Sequence, residues 1–174
     1  MIFQFILMGS IIMGNNSRII FTAFPMLTVL FTGLIFSWFY ALGTNLYKRL
    51  PETAEMNLTR FKIALVLPIA YILALSVFMF SIFCNISGGE KPNLVIFAFI
   101  VPLHLISMVC IFYCLYFNAK ALKTVELQRP VEFGEYIGEF FMFWFFPVGI
   151  WILQPRLNKL FRPGNTVGLA LHHL

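Results

Sequence analysis

Three long stretches of this chain carry no charge, and they set its organisation. The first lies between Arg18 and Lys48, so that 19–47 is an uninterrupted run of 29 uncharged residues. As a helix rising 1.5 Å per residue it would extend about 43 Å, well beyond a hydrocarbon core of about 30 Å. Pro25 is a natural joint, which assigns the crossing itself to 26–47. Two further runs, 63–86 and 94–117, are 24 residues each and also free of charge, long enough to cross as helices. Between them Ser87-Gly88-Gly89-Glu90-Lys91-Pro92-Asn93 is rich in turn formers, and so short a link joins antiparallel neighbours. Pro68 and Pro102 fall inside these two helices, where each removes a backbone hydrogen bond and is expected to kink the helix.

The two ends of the chain follow a different pattern. Residues 1–17 hold about a dozen apolar residues closed by Gly14-Asn15-Asn16-Ser17. This is too short to cross and is expected to lie in the interface or to enter and return. It lacks the cationic start and the small-residue cleavage site of a secretory signal, and is read as retained. Near the other end, 140–155 is uncharged for only 16 residues and is interrupted by Pro147 and Gly149. Six of the seven residues 140–146 are aromatic, the composition of an interfacial belt rather than of a bilayer centre.

Charge placement orients the segments. Loop 48–62 holds Lys48, Arg49, Arg60 and Lys62, and segment 118–136 holds Lys120, Lys123 and Arg129, whereas 87–93 holds only Lys91. Cytoplasmic loops carry the excess of Lys and Arg, which puts 48–62 and 118–136 inside and 87–93 outside. If 136–153 crossed, Arg156, Lys159 and Arg162 would lie outside, against that rule. A re-entrant hairpin turning at Pro147-Val148-Gly149, or a helix lying in the interface, keeps them inside, and a fourth crossing is the alternative.

Composition agrees. The chain is 60% apolar and 11% charged, against about 45–50% and about 25% in soluble domains, so a soluble fold could not hide its apolar surface. The expected fold is all-α: one polytopic membrane domain with three crossings, an amphipathic lead-in and broken apolar segment at 132–153, and a basic tail at 154–174. The net charge of +5 does not point to nucleic acid, because the cations sit in short groups at the ends of apolar runs, where anionic headgroups lie. Cys84, Cys110 and Cys114 all lie in apolar runs, which argues against a disulfide framework.

Several groupings could carry chemistry or assembly. Gly33, Ser37, Ala41 and Asn45 recur every four residues on one helix face, and small residues let membrane helices approach closely while Asn45 can hydrogen-bond across the contact. Packing against the chain's own helices is the first expectation and self-association the second. His104, Ser107, Cys110, Cys114 and Asn118 fall on about a third of the third helix's circumference, and polar groups at that depth should face protein or a wet cavity. A neutral His104 bonded to a neighbouring helix is the plain expectation. Proton relay, metal or haem ligation are the sharper ones, although haem lacks a second axial histidine before His172 and a zinc site lacks an evident fourth ligand.

Glu132, Glu135 and Glu139 share a face that should point to water and pair with Lys120, Lys123 or Arg129, while Gly134 and Gly138 mark another face that should pack closely on a helix. Glu139 abuts the aromatic run, and desolvation there would raise its pKa. No nucleophile, metalloprotease, phosphate-loop or dinucleotide motif occurs. No catalytic residue and no cofactor is assigned.

The stretch Phe145-Phe146-Pro147-Val148-Gly149-Ile150-Trp151-Ile152-Leu153-Gln154-Pro155-Arg156-Leu157-Asn158 resembles the closing segment of small bacterial integral membrane proteins with no assigned function. The resemblance implies a bacterial inner-membrane location and carries over no site residue. The sequence favours a non-catalytic membrane protein that meets lipid and packs against other membrane subunits or its own copies. A small transporter or channel using His104, Asn45 and Glu139 is the alternative, prompted by broken apolar segments of the kind that line substrate sites.

Overall fold

A computed structural model describes residues 17–87 and 95–162 of the chain. Among these the protein is all-α: α1 Ser17–Tyr47, α2 Leu58–Ser87, α3 Val95–Leu127, α4 Phe133–Trp144 and α5 Phe146–Phe161. Three helical segments are long and apolar enough to cross a membrane: Met26–Tyr47, Leu58–Met79 and Ala98–Leu127. The expectations for 1–16, for the turn at 88–94 and for 163–174, including His172, lie outside the described residues.

The helices outrun the apolar stretches that announce them. Helix α1 begins at Ser17 and continues through Pro25 rather than breaking there. Helix α2 starts at Leu58, five residues before the apolar run, because Asn57 caps it: its Oδ1 accepts the Arg60 N–H at 3.0 Å. Helix α3 passes Phe117 and continues to Leu127. A charge ends an apolar run but not a helix, and Ala119, Lys120, Ala121, Leu122 and Lys123 favour the helical state. Helix α3 stops where Gln128 takes φ 51°, a left-handed turn held by its Nε2 donating to the Val125 carbonyl at 2.7 Å, with Pro130 just beyond.

The chain divides into two compact units, Met1–Trp38 with Ile63–Ile111 and Phe39–Lys62 with Phe112–Leu174. In the first, Phe36, Ala64, Leu65, Pro68, Tyr71 and Ser107 are buried, while Met26, Val66, Val77, Phe99 and Val109 are strongly exposed. Of each apolar window, only 22%, 22% and 17% of the residues are buried within the chain, so most of that surface needs an apolar solvent.

The second unit has the denser core. Phe61 stacks on Phe117 at 4.3 Å, and both are almost fully buried beside Leu46, Leu122, Phe143 and Leu153. Gly43 makes room for that stack, since a Cβ there would come within 2.6 Å of the Phe61 ring. Helices α4 and α5 form a hairpin. The helix breaks at Phe145 (φ −88°, ψ 49°), two residues before the expected turn, and Pro147 sits in the first turn of α5, where a missing N–H costs nothing. The chain reverses here: Glu139 and Arg156, 17 residues apart, are bonded at 2.8 Å, whereas a continuous helix would separate them by about 25 Å. A continuous fourth crossing through 136–153 is thereby excluded.

Candidate functional site

The most polar buried locus is the seam where α3, α4 and α5 meet in the second unit. On α4, Tyr136, Glu139 and Phe143 are buried and share one face. On α5, Gly149, Leu153 and Leu157 are buried, with Arg156 beside them. These two stripes face each other closely at Gly149, where a Cβ would lie 1.8 Å from the Met142 carbonyl oxygen. Only glycine permits the approach.

Four charges close the seam. Arg156 donates from Nε to Glu126 Oε1 at 2.9 Å and from Nη2 to Glu126 Oε2 at 2.5 Å, a bidentate pair across the α3–α5 contact. The same Nη2 reaches Glu139 Oε1 at 2.8 Å, and Lys123 Nζ donates to that oxygen at 3.2 Å. Two carboxylates and two cations sum to zero, which is what a partly buried cluster beside lipid requires. Burial pushes the Glu139 carboxyl up, but hydrogen bonds from Arg156 and Lys123 outweigh it and hold the group below the ordinary carboxylate range. Bonding to Glu126 and then to Glu139 raises the Arg156 guanidinium above its ordinary value despite burial. Both shifts favour the ionised Glu139–Arg156 pair, and the cluster ties α3, α4 and α5 together as a latch.

Three expectations for α4 are corrected here. Its carboxylate face does not all turn to water: Glu132 is exposed, Glu135 half-buried and paired with Arg129, and Glu139 buried. Gly134 and Gly138, expected to pack on a helix, are exposed with nothing within 4 Å of a Cβ. Glu139 lies between Tyr136 and Phe143 on the apolar side of the helix, so its carboxylate is drawn inward, and the opposite side carrying the glycines points away. The expected rise in the Glu139 pKa is reversed because two cations accompany the burial. Glu135 keeps a local role: it bonds Arg129, first of the influences that lower its pKa, and accepts the Glu132 N–H at 3.0 Å to cap α4.

Sequence reading overlooked Glu126 and Arg156. A signal was present: Leu153, Arg156 and Leu157 are spaced i, i+3, i+4, which places Arg156 at the edge of the inward stripe.

Arg49 adds a further tie. Its Nη1 donates to the Leu160 carbonyl and its guanidinium lies 4.5 Å from the centre of the Phe161 ring, capping the C-terminus of α5. The end of α5, the start of the 48–57 loop and the C-terminal end of α3 therefore share one side. With three crossing helices and a returning hairpin in place, the class of the molecule follows.

This is an integral membrane protein. No family model, no curated protein and no solved structure matches the chain.

The other site candidates are dispersed. His104 is exposed on α3, with Nδ1 3.1 Å from the Tyr71 hydroxyl on α2, a bond to a neighbouring helix. Ser107 and Cys114 are buried and Cys110 half-buried. Asn118 is fully buried, its Nδ2 donating to the Cys114 carbonyl at 2.9 Å while Oδ1 has no partner. Among the described residues no group of three His, Cys, Asp or Glu side chains could hold a metal ion. Gly33, Ser37, Ala41 and Asn45 are all exposed, and no atom would lie within 4 Å of a Cβ at Gly33. Among the described residues this face packs on no helix of the chain, and α1 buries Phe36, Phe39, Leu42 and Leu46 from its opposite side.

Proposed function

We propose that the protein is a non-catalytic packing subunit of a membrane assembly, formed with its own copies or with a larger complex. The observation that carries this reading is the outward stripe Gly33, Ser37, Ala41 and Asn45, exposed within the Met26–Tyr47 segment. Small residues have little side chain to offer lipid but allow a second helix to come close, and an amide near a membrane face gains most from a protein partner. The charge cluster supports the same reading, since its ions satisfy each other and hold the chain's own helices together. The basic loop 48–62, with the ends of α3 and α5, belongs on the cytoplasmic side, in the inner membrane of a bacterium.

Crosslinking after purification in mild detergent tests this. The expected result is a crosslinked species of higher mass, lost when Gly33→Leu and Ala41→Leu are combined. A lone monomer that co-purifies with nothing, or an association untouched by the double variant, overturns the proposal.

A further inference from the structure

The α4–α5 hairpin belongs to none of the three candidate spans, yet Phe141, Phe145, Val148, Trp151 and Ile152 on it are exposed, Trp151 at 81%. A water-facing hairpin would not carry so much apolar surface at its tip. Its charges keep clear of the turn: Glu132, Glu135 and Glu139 lie six or more residues before Phe145, and Arg156, Lys159 and Arg162 eleven or more after it.

Two independent rulers give the height of the tip. Trp144, the last residue of α4, stacks on Phe112 of α3 at 4.3 Å, and Phe112 lies 11 residues before Lys123 of the latch, about 16 Å along the helix. Phe143 and Phe146, on either side of the turn, both approach Phe39 of α1, at 6.0 and 6.1 Å. Phe39 precedes Lys48 by nine residues, about 14 Å. Along α4 itself, Phe145 lies six residues beyond Glu139 of the latch, about 9 Å. The turn therefore lies about 9–16 Å inward from the charged residues, within the near half of a 30 Å hydrocarbon core. At that depth the outward surfaces of α1 and α3 meet acyl chains, and the exposed tip residues lie beside them.

We infer that the α4–α5 hairpin is a half-bilayer wedge, entering the leaflet on the side of Lys48 and Lys123 and returning, with Phe145, Val148, Trp151 and Ile152 in contact with lipid acyl chains. The latch of Glu126, Arg156, Glu139 and Lys123 then sits at the headgroup boundary, where ions are tolerated, and the aromatic crowd at 140–146 lines the descent. The wedge is independent of whether α1 finds a partner.

Depth-dependent quenching tests it, because the chain holds three tryptophans, Trp38, Trp144 and Trp151. One variant, Trp38→Phe with Trp151→Phe, leaves only Trp144. The other, Trp38→Phe with Trp144→Phe, leaves only Trp151 and keeps an aromatic ring against Phe112. Each full-length protein is placed in phosphatidylcholine vesicles brominated near the carbonyl end or near the methyl end of the acyl chains. A wedge predicts that Trp144, beside the turn, loses more fluorescence to methyl-end bromines and Trp151, on the way back, more to carbonyl-end bromines. The reverse order overturns the inference. So does equal shallow quenching of both, quenching by aqueous iodide, or no quenching by either lipid, which would mean a protein cover. Should either double variant misfold, Val148→Cys gives a second reading: modification by a membrane-impermeant maleimide beyond that of the parent chain, which holds three cysteines, in sealed or in opened vesicles, refutes the wedge.

Discussion

Gly149 is the position where the hairpin geometry is most exposed to test. A methyl group at this residue would lie 1.8 Å from the Met142 carbonyl oxygen, 2.6 Å from its carbon and 2.9 Å from its Cα. All three are backbone atoms, so no side-chain rotation relieves the collision. Restoring even the 3.0 Å below which real contacts essentially never fall requires α4 and α5 to part by about 1.2 Å. That movement acts on the whole seam: it loosens Phe143 and Leu153 and stretches the 2.8 Å Arg156–Glu139 bond beyond useful range. Replacing glycine by alanine in a helix gains about 1 kcal/mol of intrinsic propensity, while overpacking costs typically about 1–3 kcal/mol, and more where backbone must move. The expected net loss for Gly149→Ala is about 2 kcal/mol. Gly134→Ala and Gly138→Ala serve as internal controls, since no atom lies within 4 Å of a Cβ at either, and each should gain up to about 1 kcal/mol. Titrating the detergent-solubilised protein with dodecyl sulfate, with tryptophan fluorescence as the signal, ranks the three variants. If Gly149→Ala proves as stable as its two controls, the close approach of α4 and α5 is wrong and the latch with it.

Three further outcomes follow from the second unit. Thr124 is 1% exposed and its hydroxyl has no partner, so Thr124→Val, of the same shape, should raise stability by about 1 kcal/mol in the same titration; a loss would reveal a bonded hydroxyl. Gln128 holds φ 51°, a conformation costing a side-chain-bearing residue about 1 kcal/mol, so Gln128→Gly should be neutral to mildly stabilising even though its bond to Val125 is lost; marked destabilisation would refute the left-handed turn. Burial opposes charge on Glu139, but Arg156 and Lys123 prevail and lower its pKa. A carboxyl with a depressed folded value contributes stability in full above its unfolded value of about 4.3, and loses it as pH falls through the lower folded value. Stability should therefore hold steady from neutrality to about pH 5 and fall below about pH 4, and Glu139→Gln should flatten that acid limb; an unchanged acid limb in the variant would mean that Glu139 is not held by the latch.

The crossings were legible because hydrocarbon imposes a blunt rule, that no charge enters, and the runs 26–47, 63–86 and 94–117 obey it. The ends were not, because the rule concerns side chains while helix termination concerns the backbone: Lys120 and Lys123 close an apolar run yet propagate α3. The turn was misplaced by two residues because Pro147 reads as a breaker, whereas it occupies the first turn of α5 and Phe145 makes the break. Glu132, Glu135 and Glu139 read as one wet face because charge alone suggests water. What turned Glu139 inward was a pair of cations brought from α3 and α5, and sequence spacing on α4 holds no trace of them. Gly33, Ser37 and Ala41 point first to the chain's own helices, yet small residues suit contact with a helix of the same chain or of another, and spacing alone does not choose between them.

The latch also fixes an order of events during synthesis. Glu126 leaves the ribosome 30 residues ahead of Arg156, and Glu139 17 residues ahead, an interval of a few seconds at about 5–20 residues per second. For that time the membrane boundary holds two carboxylates whose shared guanidinium has not yet been made, with Lys123 the only cation of the latch already in place. The hairpin cannot seat until Arg156 has emerged, so the helix that fastens the latch is made after the two it fastens.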